Sequence, residues 1–475
     1  MTSALRRIGA TARLNLGRHA RSGFWLVALM VGALVAGLVR ALSRTEGPGQ
    51  WWPVLILGEL VITGFYFAAV HVLLEHEEGT LAARAVTPMR GGEYLLALVV
   101  SLVLLALAES AVLVLIGRGA QMRWGPFLAG VVFLSGLYVL YGVIAVAGYD
   151  SMSGFLLPSG VWTLALIAPV LPLMGVRGGW WLWLHPLQGA FALIQLGFDQ
   201  APAQVGLPAV RGSPPGPPPS DGHDRPDGRT LMPPRAILAL MEADRRRLLR
   251  DGLMVWMMIL PLVMAAAARA GLPELVLVLE GRGIMIGPWV PQLRTVAFTV
   301  VVPVLIGVVV GFMLLEEKQD RVWRALAVTG VRLRRYLVWR AMTCLAMAAL
   351  VCLLCLLIAG PTGLSTAQEA GLALGAAPLA AAVALGLAAW TRDAIQGFAV
   401  AKLLFVLLVL PAVASLLGAP WRELLALVPS WWIVRTADAM NDGGHWFPLV
   451  LGSAAVNLLI AGAAVACAGR VAARA

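Results

Sequence analysis

The chain is predicted to be an all-α, polytopic membrane protein of about 12 transmembrane helices in two repeated halves. Three observations predict this. Of its 475 residues, 60% are apolar and only 13% charged, with a mean hydropathy of +0.84; soluble chains carry roughly 25% charged and 45–50% apolar residues. Apolar runs near the ~20 residues needed to span a bilayer recur along its length. A polar motif also returns about 242 residues after its first appearance. This composition excludes a soluble enzyme, a disordered chain and a nucleic-acid binder. Arginine supplies nearly all of the +11 charge, since Lys318 and Lys402 are the only lysines. Arginine beside apolar runs marks cytoplasmic ends.

The first unit, residues 1–200, opens with an amphipathic segment. Leu5, Ile8, Ala12 and Leu16 recur at helical spacing, and Arg6, Arg7, Arg13, Arg18 and Arg21 fall on the other arc. Such a helix lies in the membrane interface with its arginines toward anionic headgroups. These arginines precede a full-length span, so no cleavable signal is expected. Spans are predicted at about 24–42, 53–74, 95–116, 126–148 and 155–174, with a sixth apolar stretch, Trp180–Phe198. Residues 201–234 hold ten prolines and five glycines and read as an extended cytoplasmic linker. The second unit, residues 235–475, repeats the plan. Ile237, Leu240, Met241 and Leu248 oppose Arg245, Arg246, Arg247 and Arg250. Spans follow at about 252–271, 296–315, 337–359, 371–390, 398–417 and 447–467.

A shift of 242 places Glu75 on Glu317, Ala83 on Ala325, and Ala85-Val86-Thr87 on Ala327-Val328-Thr329. It also places Arg90 on Arg332 and Tyr94-Leu95 on Tyr336-Leu337, eight identities in 21 positions. At a shift of 243, Asp150 meets Asp393, Gly154-Phe155 meets Gly397-Phe398 and Pro186 meets Pro429. Nearly one register across three segments indicates a duplicated unit in parallel orientation. The last span then falls opposite linker residues 204–224. Equal sidedness of the arginine-rich ends requires an even number of crossings before the linker. Trp180–Phe198, rising about 27 Å, is therefore predicted to cross.

The segment after the second span of each half is the richest in polar signals. The first copy reads Glu75-His76-Glu77-Glu78-Gly79-Thr80, then Arg84, Thr87-Pro88 and Tyr94. Thr80 is expected to cap a short helix, and Thr87-Pro88 suits the start of the next one. The second copy offers Glu316-Glu317, Asp320, Arg321, Arg324 and Thr329-Gly330. Each copy is expected to lie on the cytoplasmic surface with its charged ends open to a soluble partner. The bland alternative is a polar loop with ordinary caps.

Glu77-Glu78-Gly79-Thr80 and Val86-Thr87-Pro88, the amphipathic helix before the first span and the proline-bearing outer segment before the last resemble the permeases of type-2 ABC exporters. The resemblance implies six-span units that pair and short helices that dock on ATP-binding subunits. It makes Glu75, Glu77, Glu78, Gly79, Thr80, Arg84, Thr87 and Pro88, with Glu317, Asp320, Arg321, Arg324 and Thr329, the expected ATPase-coupling residues. The second copy departs from it, having Arg321-Val322 for Gly-Thr and Gly330 for proline, so the two docking surfaces are expected to be unequal. GxxxxGK[ST] is absent from the sequence. ATP and magnesium are thus expected in two copies of a partner ATPase, with no cofactor in this chain. The fused chain would replace a permease dimer.

His71 and Glu75 share a helix face, but HExxH is absent and no metal site is expected. Cys344, Cys352, Cys355 and Cys467 fall in apolar runs and read as small apolar residues. Glu59 and Glu109 lie about 9–10 Å deep from the outer ends of their spans, and Arg40 lies near the end of the first. Buried charge in a membrane demands a partner or water. The three residues suit either a cavity for a cationic or amphipathic substrate or a structural Arg40–Glu59 pair. The tryptophans Trp51, Trp52, Trp180, Trp181, Trp183, Trp431 and Trp432 suit an aromatic belt.

The expected function is export through the cell membrane by an ATP-driven permease that acts as a transport subunit, not an enzyme. N-terminus, linker and C-terminus are expected in the cytoplasm, with membrane lipid and no nucleic acid as further partners. The alternatives are a twelve-span transporter driven by an ion gradient and a membrane-embedded transferase.

Overall fold

The computed structural model describes residues 2–21, 24–42, 52–80, 87–149, 152–156, 158–172, 184–199, 252–281, 287, 290–323, 333–360, 362–414, 423 and 425–474. The first half comprises α1 (Thr2–Arg21), α2 (Phe24–Leu42), α3 (Trp52–His76), α4 (Gly91–Gly117) and α5 (Trp124–Val146). It continues with α6 (Met152–Leu156), α7 (Pro158–Ile167) and α8 (Gln188–Gly197). The second half comprises α9 (Gly252–Glu280), α10 (Val290–Gln319), α11 (Leu333–Ala359), α12 (Thr366–Trp390), α13 (Ala394–Ala414), α14 (Pro429–Asn441) and α15 (Phe447–Arg474). The described residues hold no strand.

Eight helices, α3 to α5, α10 to α13 and α15, are long and apolar enough to cross a membrane, or nine if the bent α1–α2 pair counts as one span. The all-α polytopic class is therefore observed, with fewer spans among the described residues than the twelve expected. These helices are apolar all round, as a lipid-facing helix must be. Leu104 of α4 and Phe133 and Ile144 of α5 are exposed on the surface of the bundle. Cys344, Cys352 and Cys355 are buried free thiols within α11.

Among the described residues, the stretch Trp180–Phe198 holds no helix long enough to cross. Residues 184–187 form a 3-10 turn and bends around Pro186, and the helix that follows, α8, has only ten residues. Ten residues rise about 15 Å, half the hydrocarbon thickness. Proline at 186 interrupts the run, since it cannot sit inside a helix without losing a backbone hydrogen bond. α8 lies along α5, where Gly197 leaves room for Phe127. Its counterpart at a shift of 243 is α14, another short helix opened by a proline, Pro429. The linker 201–234, the segment Ile237–Arg250 and residues 204–224 opposite the last span lie outside the described residues.

The halves use equivalent seams. α3 packs on α5 and α10 on α12. A Cβ added at Gly307 would lie 2.6 Å from the Ala380 carbonyl oxygen, so only glycine lets α10 and α12 approach this closely. α3 and α10 each contain one π turn, at Val61–Tyr66 and Ala297–Val301. The halves join through α13, which packs against α2 and α3. Phe312, Leu315, Leu387 and Ile395 of the second half complete the apolar core of the first.

Candidate functional site

The register read from the repeat reappears as geometry at the α3–α4 and α10–α11 turns. Tyr94 Oη donates to Glu75 Oε2 at 2.6 Å, and Tyr336 Oη donates to Glu317 Oε2 at 2.6 Å. Both pairs tie the end of the second span to the start of the third. Just beyond the end of each helix the backbone turns left-handed, at Gly79 (φ 67°) and at Arg321 (φ 60°). These positions are equivalent at a shift of 242. The second copy thus keeps the turn although it lacks the glycine, at a cost of roughly 1–2 kcal/mol.

The cations serving the two carboxylates differ. Glu317 pairs with Arg340, which lies one turn along α11 from Tyr336 and also donates its Nε to Tyr336 Oη at 2.8 Å. Leu98 occupies the equivalent position of α4 and is buried. Glu75 is instead reached by His71 Nε2 at 3.2 Å from its own helix and by Arg18 Nη1 at 3.8 Å from α1. Arg18 also binds Glu78 at 2.5 Å, and Arg7 forms a two-point pair with Glu93 at 2.9 and 2.6 Å. α1 is thereby strapped across the ends of α3 and α4. Its inward face carries Ala12, Asn15 and His19, while Leu5 and Leu14 are exposed. Burial, reinforced by the neighbouring His71 and Arg18, pushes the His19 imidazole down to about 3. A cavity of about 420 Å³ opens between α1 and residues 87–89, lined by Arg7, Leu14, Asn15, Thr87 and Met89 among others.

The expected coupling residues therefore divide. Glu75 is buried and holds the turn together, so it offers no surface to a soluble partner; Glu317 is partly buried and does the same in the second copy. Glu78, Gly79, Thr87, Pro88, Asp320 and Arg321 are exposed at the two turns. The Thr80 hydroxyl donates to the Glu75 carbonyl at 3.0 Å, closing the end of α3. The Glu77 side chain and residues Arg84, Arg324 and Thr329 lie outside the described residues, as do residues 81–86 and 324–332, where much of each expected short helix falls.

The other predicted set is rearranged. Arg40 does not meet Glu59. Its guanidinium donates to the Ile116 carbonyl at 3.3 Å, at the end of α4. Arg269 does the same to the Ile358 carbonyl at 3.5 Å, at the end of α11, and Ile116 and Ile358 are one repeat apart. A cation at a helix C-terminus meets unpaired carbonyls and the negative end of the dipole. Glu59 and Glu109 do come together, on a residue absent from the expected set. Lys402 of α13 donates to Glu59, to Glu109 at 2.5 Å and to Thr63 at 3.3 Å. Thr63 Oγ1 donates to Glu109 Oε2 at 2.5 Å. All four residues are buried, and the set bridges the two halves. A lysine inside a 21-residue helix with no other charge was the available signal.

Two descriptions of export permeases match the chain, one on each half. The fluoroquinolones export permease protein family matches residues 6–207, and the Rv2686c-like fluoroquinolones export permease protein matches residues 244–465. Among curated relatives, the fluoroquinolones export permease protein Rv2687c of Mycobacterium tuberculosis (strain ATCC 25618 / H37Rv) is 29% identical over 210 residues, 43% of this chain and 87% of the relative. Rv2686c of the same strain, a protein of the same description, is 27% identical over 237 residues, 49% of this chain and 93% of the relative. No solved structure matches. The unmatched residues 208–243 hold most of the proline-rich stretch. The chain is thus a multi-pass helical membrane protein, each half of which is similar to an export permease.

Proposed function

We propose that this chain is the membrane permease of an ATP-binding cassette exporter, with two permease units fused through the linker at 201–234. The units are residues 1–200 and 235–475. The duplicated turn carries the proposal: Glu75–Tyr94 and Glu317–Tyr336 brace equivalent ends of the second and third spans, where the family resemblance expects an ATPase to press. Two ATPase subunits, holding ATP and magnesium, bind the exposed Glu78–Gly79 and Asp320–Arg321 turns on the cytoplasmic face of the cell membrane. Nucleotide-driven closure moves the turns and, through them, the second and third spans. The substrate is a drug-like amphipathic molecule, and the names of the relatives make a fluoroquinolone the first to test.

The test is co-expression with a candidate ATP-binding cassette ATPase from the same genome. The purified chain alone should hydrolyse no ATP, and the ATPase should co-purify and be stimulated by the chain. Robust turnover by the chain alone, or an ATPase indifferent to combined charge reversal at Glu78, Asp320 and Arg321, refutes the proposal. One observation favours a second reading, a transporter driven by an ion gradient: the charged set at Lys402 inside the spans. Efflux abolished by an uncoupler and unaffected by ATP depletion would select it.

A further inference from the structure

Glu59, Glu109 and Lys402 do not balance. Two carboxylates face one ammonium, and Thr63, the fourth member, is neutral. Both carboxyl groups are bonded to the same Lys402 ammonium, and Glu109 also accepts from Thr63. No other charged group is bonded to them among the described residues, and Glu369 of α12, which also packs on α13, is held by Thr362. Arg40 on α2 is engaged with the Ile116 carbonyl, and α5 and the rest of α13 carry no charged residue. On α3, His71 and Glu75 pair with each other more than two turns away, and Glu93 of α4 pairs with Arg7. Arg435 and Asp438 are the charges of α14, which also packs on α13, and Asp438 is bonded to Gln292. On α10, which packs on α13 too, Arg294 lies beside Gly360, while Glu317 and Lys318 are engaged at the opposite end. A site buried at mid-span cannot carry an uncompensated charge cheaply.

We propose that this set is a proton-binding site that latches the two halves together. One proton held on the Glu59–Glu109 carboxyl pair makes the set neutral with Lys402 charged. While it stays, α13 is held to α3 and α4. When it leaves, the carboxyl O–H breaks, the proton passes to water as hydronium, and the remaining excess negative charge favours opening of the interface to solvent. The latch exists on one side of the molecule only. The positions one repeat away from Glu59, Thr63 and Glu109 are Val301, Leu305 and Val351, and Ser159 stands one repeat before Lys402. The inference does not depend on an ATPase, and neither does its test.

The experiment is infrared spectroscopy of the purified chain in lipid at neutral pH, with unfolding followed across pH. A protonated-carboxyl C=O band should be present and should disappear in both Glu59→Gln and Glu109→Gln. With one more proton bound folded than unfolded, the unfolding constant of the native chain should rise by up to tenfold per pH unit on alkalinisation. Glu109→Gln, which keeps the shape and removes the titrating group, should flatten that dependence. Absence of the band in the native chain, or its persistence in both variants, overturns the proposal.

Discussion

The α3–α4 and α10–α11 turns share a tyrosine–carboxylate bond of one length and a left-handed residue in one place, yet draw their positive charge from different sources. In the second half the cation, Arg340, belongs to the helix being braced. In the first it comes from α1, a separate helix strapped over the turn. Duplication preserved the geometry that joins two spans and left the electrostatics free to diverge. The second turn is self-contained. The first depends on whether α1 is docked.

The largest effect is expected where the halves differ most, at the one-sided latch. Lys402→Met leaves two carboxyls buried without their cation and should cost about 3–5 kcal/mol in unfolding measurements. Adding Glu109→Gln should recover part of the loss, whereas Ser159→Ala, at the equivalent position, should cost only about 1 kcal/mol for its hydrogen bond to Tyr66. Next come the turns. Glu75→Gln and Glu317→Gln should each cost about 1.5–3 kcal/mol, as charge-assisted hydrogen bonds do. Removal of residues 2–21 should shrink the first cost and leave the second unchanged. Equal shrinkage of both would remove the proposed difference between the turns.

Acid should separate the turns without mutation. His19 is held at about 3 against an ordinary imidazole value of 6.5, so the docked helix excludes a proton that the undocked one accepts. Docking stability is complete above pH 6.5 and falls by about 1.4 kcal/mol per unit below it, toward pH 3. Labelling of a cysteine at Ala12 should rise as pH drops through this window, and His19→Gln should blunt the rise. A smaller change is expected at the left-handed residue: Arg321→Gly should stabilise by about 1 kcal/mol. The smallest is at the helix ends, where Arg40→Met and Arg269→Met should each cost about 0.3–1 kcal/mol.

Composition and the 3.6-residue arrangement of apolar runs made the helical class legible, and identities at one register made the duplication legible down to the atom pairs Glu75–Tyr94 and Glu317–Tyr336. Glu59 and Glu109 were legible as buried charges because hydrocarbon makes such residues conspicuous. Their partner was not. Arg40 looked closer in depth, and only the packing of α13 across α2 and α3 brings Lys402 to them. The exposure of Glu75 was misjudged for a related reason: a carboxylate at a helix end reads as solvated unless the helix that covers it is known. The shortness of α8 was signalled by Pro186 and by its match to Pro429, which opens another short helix.

The two π turns carry one more consequence. Each inserts a residue into a helical turn and so rotates everything beyond it by about 100°. In α10 the insertion falls at Ala297–Val301, and in α3 at Val61–Tyr66, which corresponds to residues 303–308 of the repeat. Before the first insertion and after the second, the halves are in phase. Between them, matched residues look in different directions. Glu59 lies opposite the end of the first insertion and Thr63 lies inside the second, where the phase changes. A displaced bulge therefore lets two copies of one unit keep the same ends while presenting different faces to each other in the middle of the membrane.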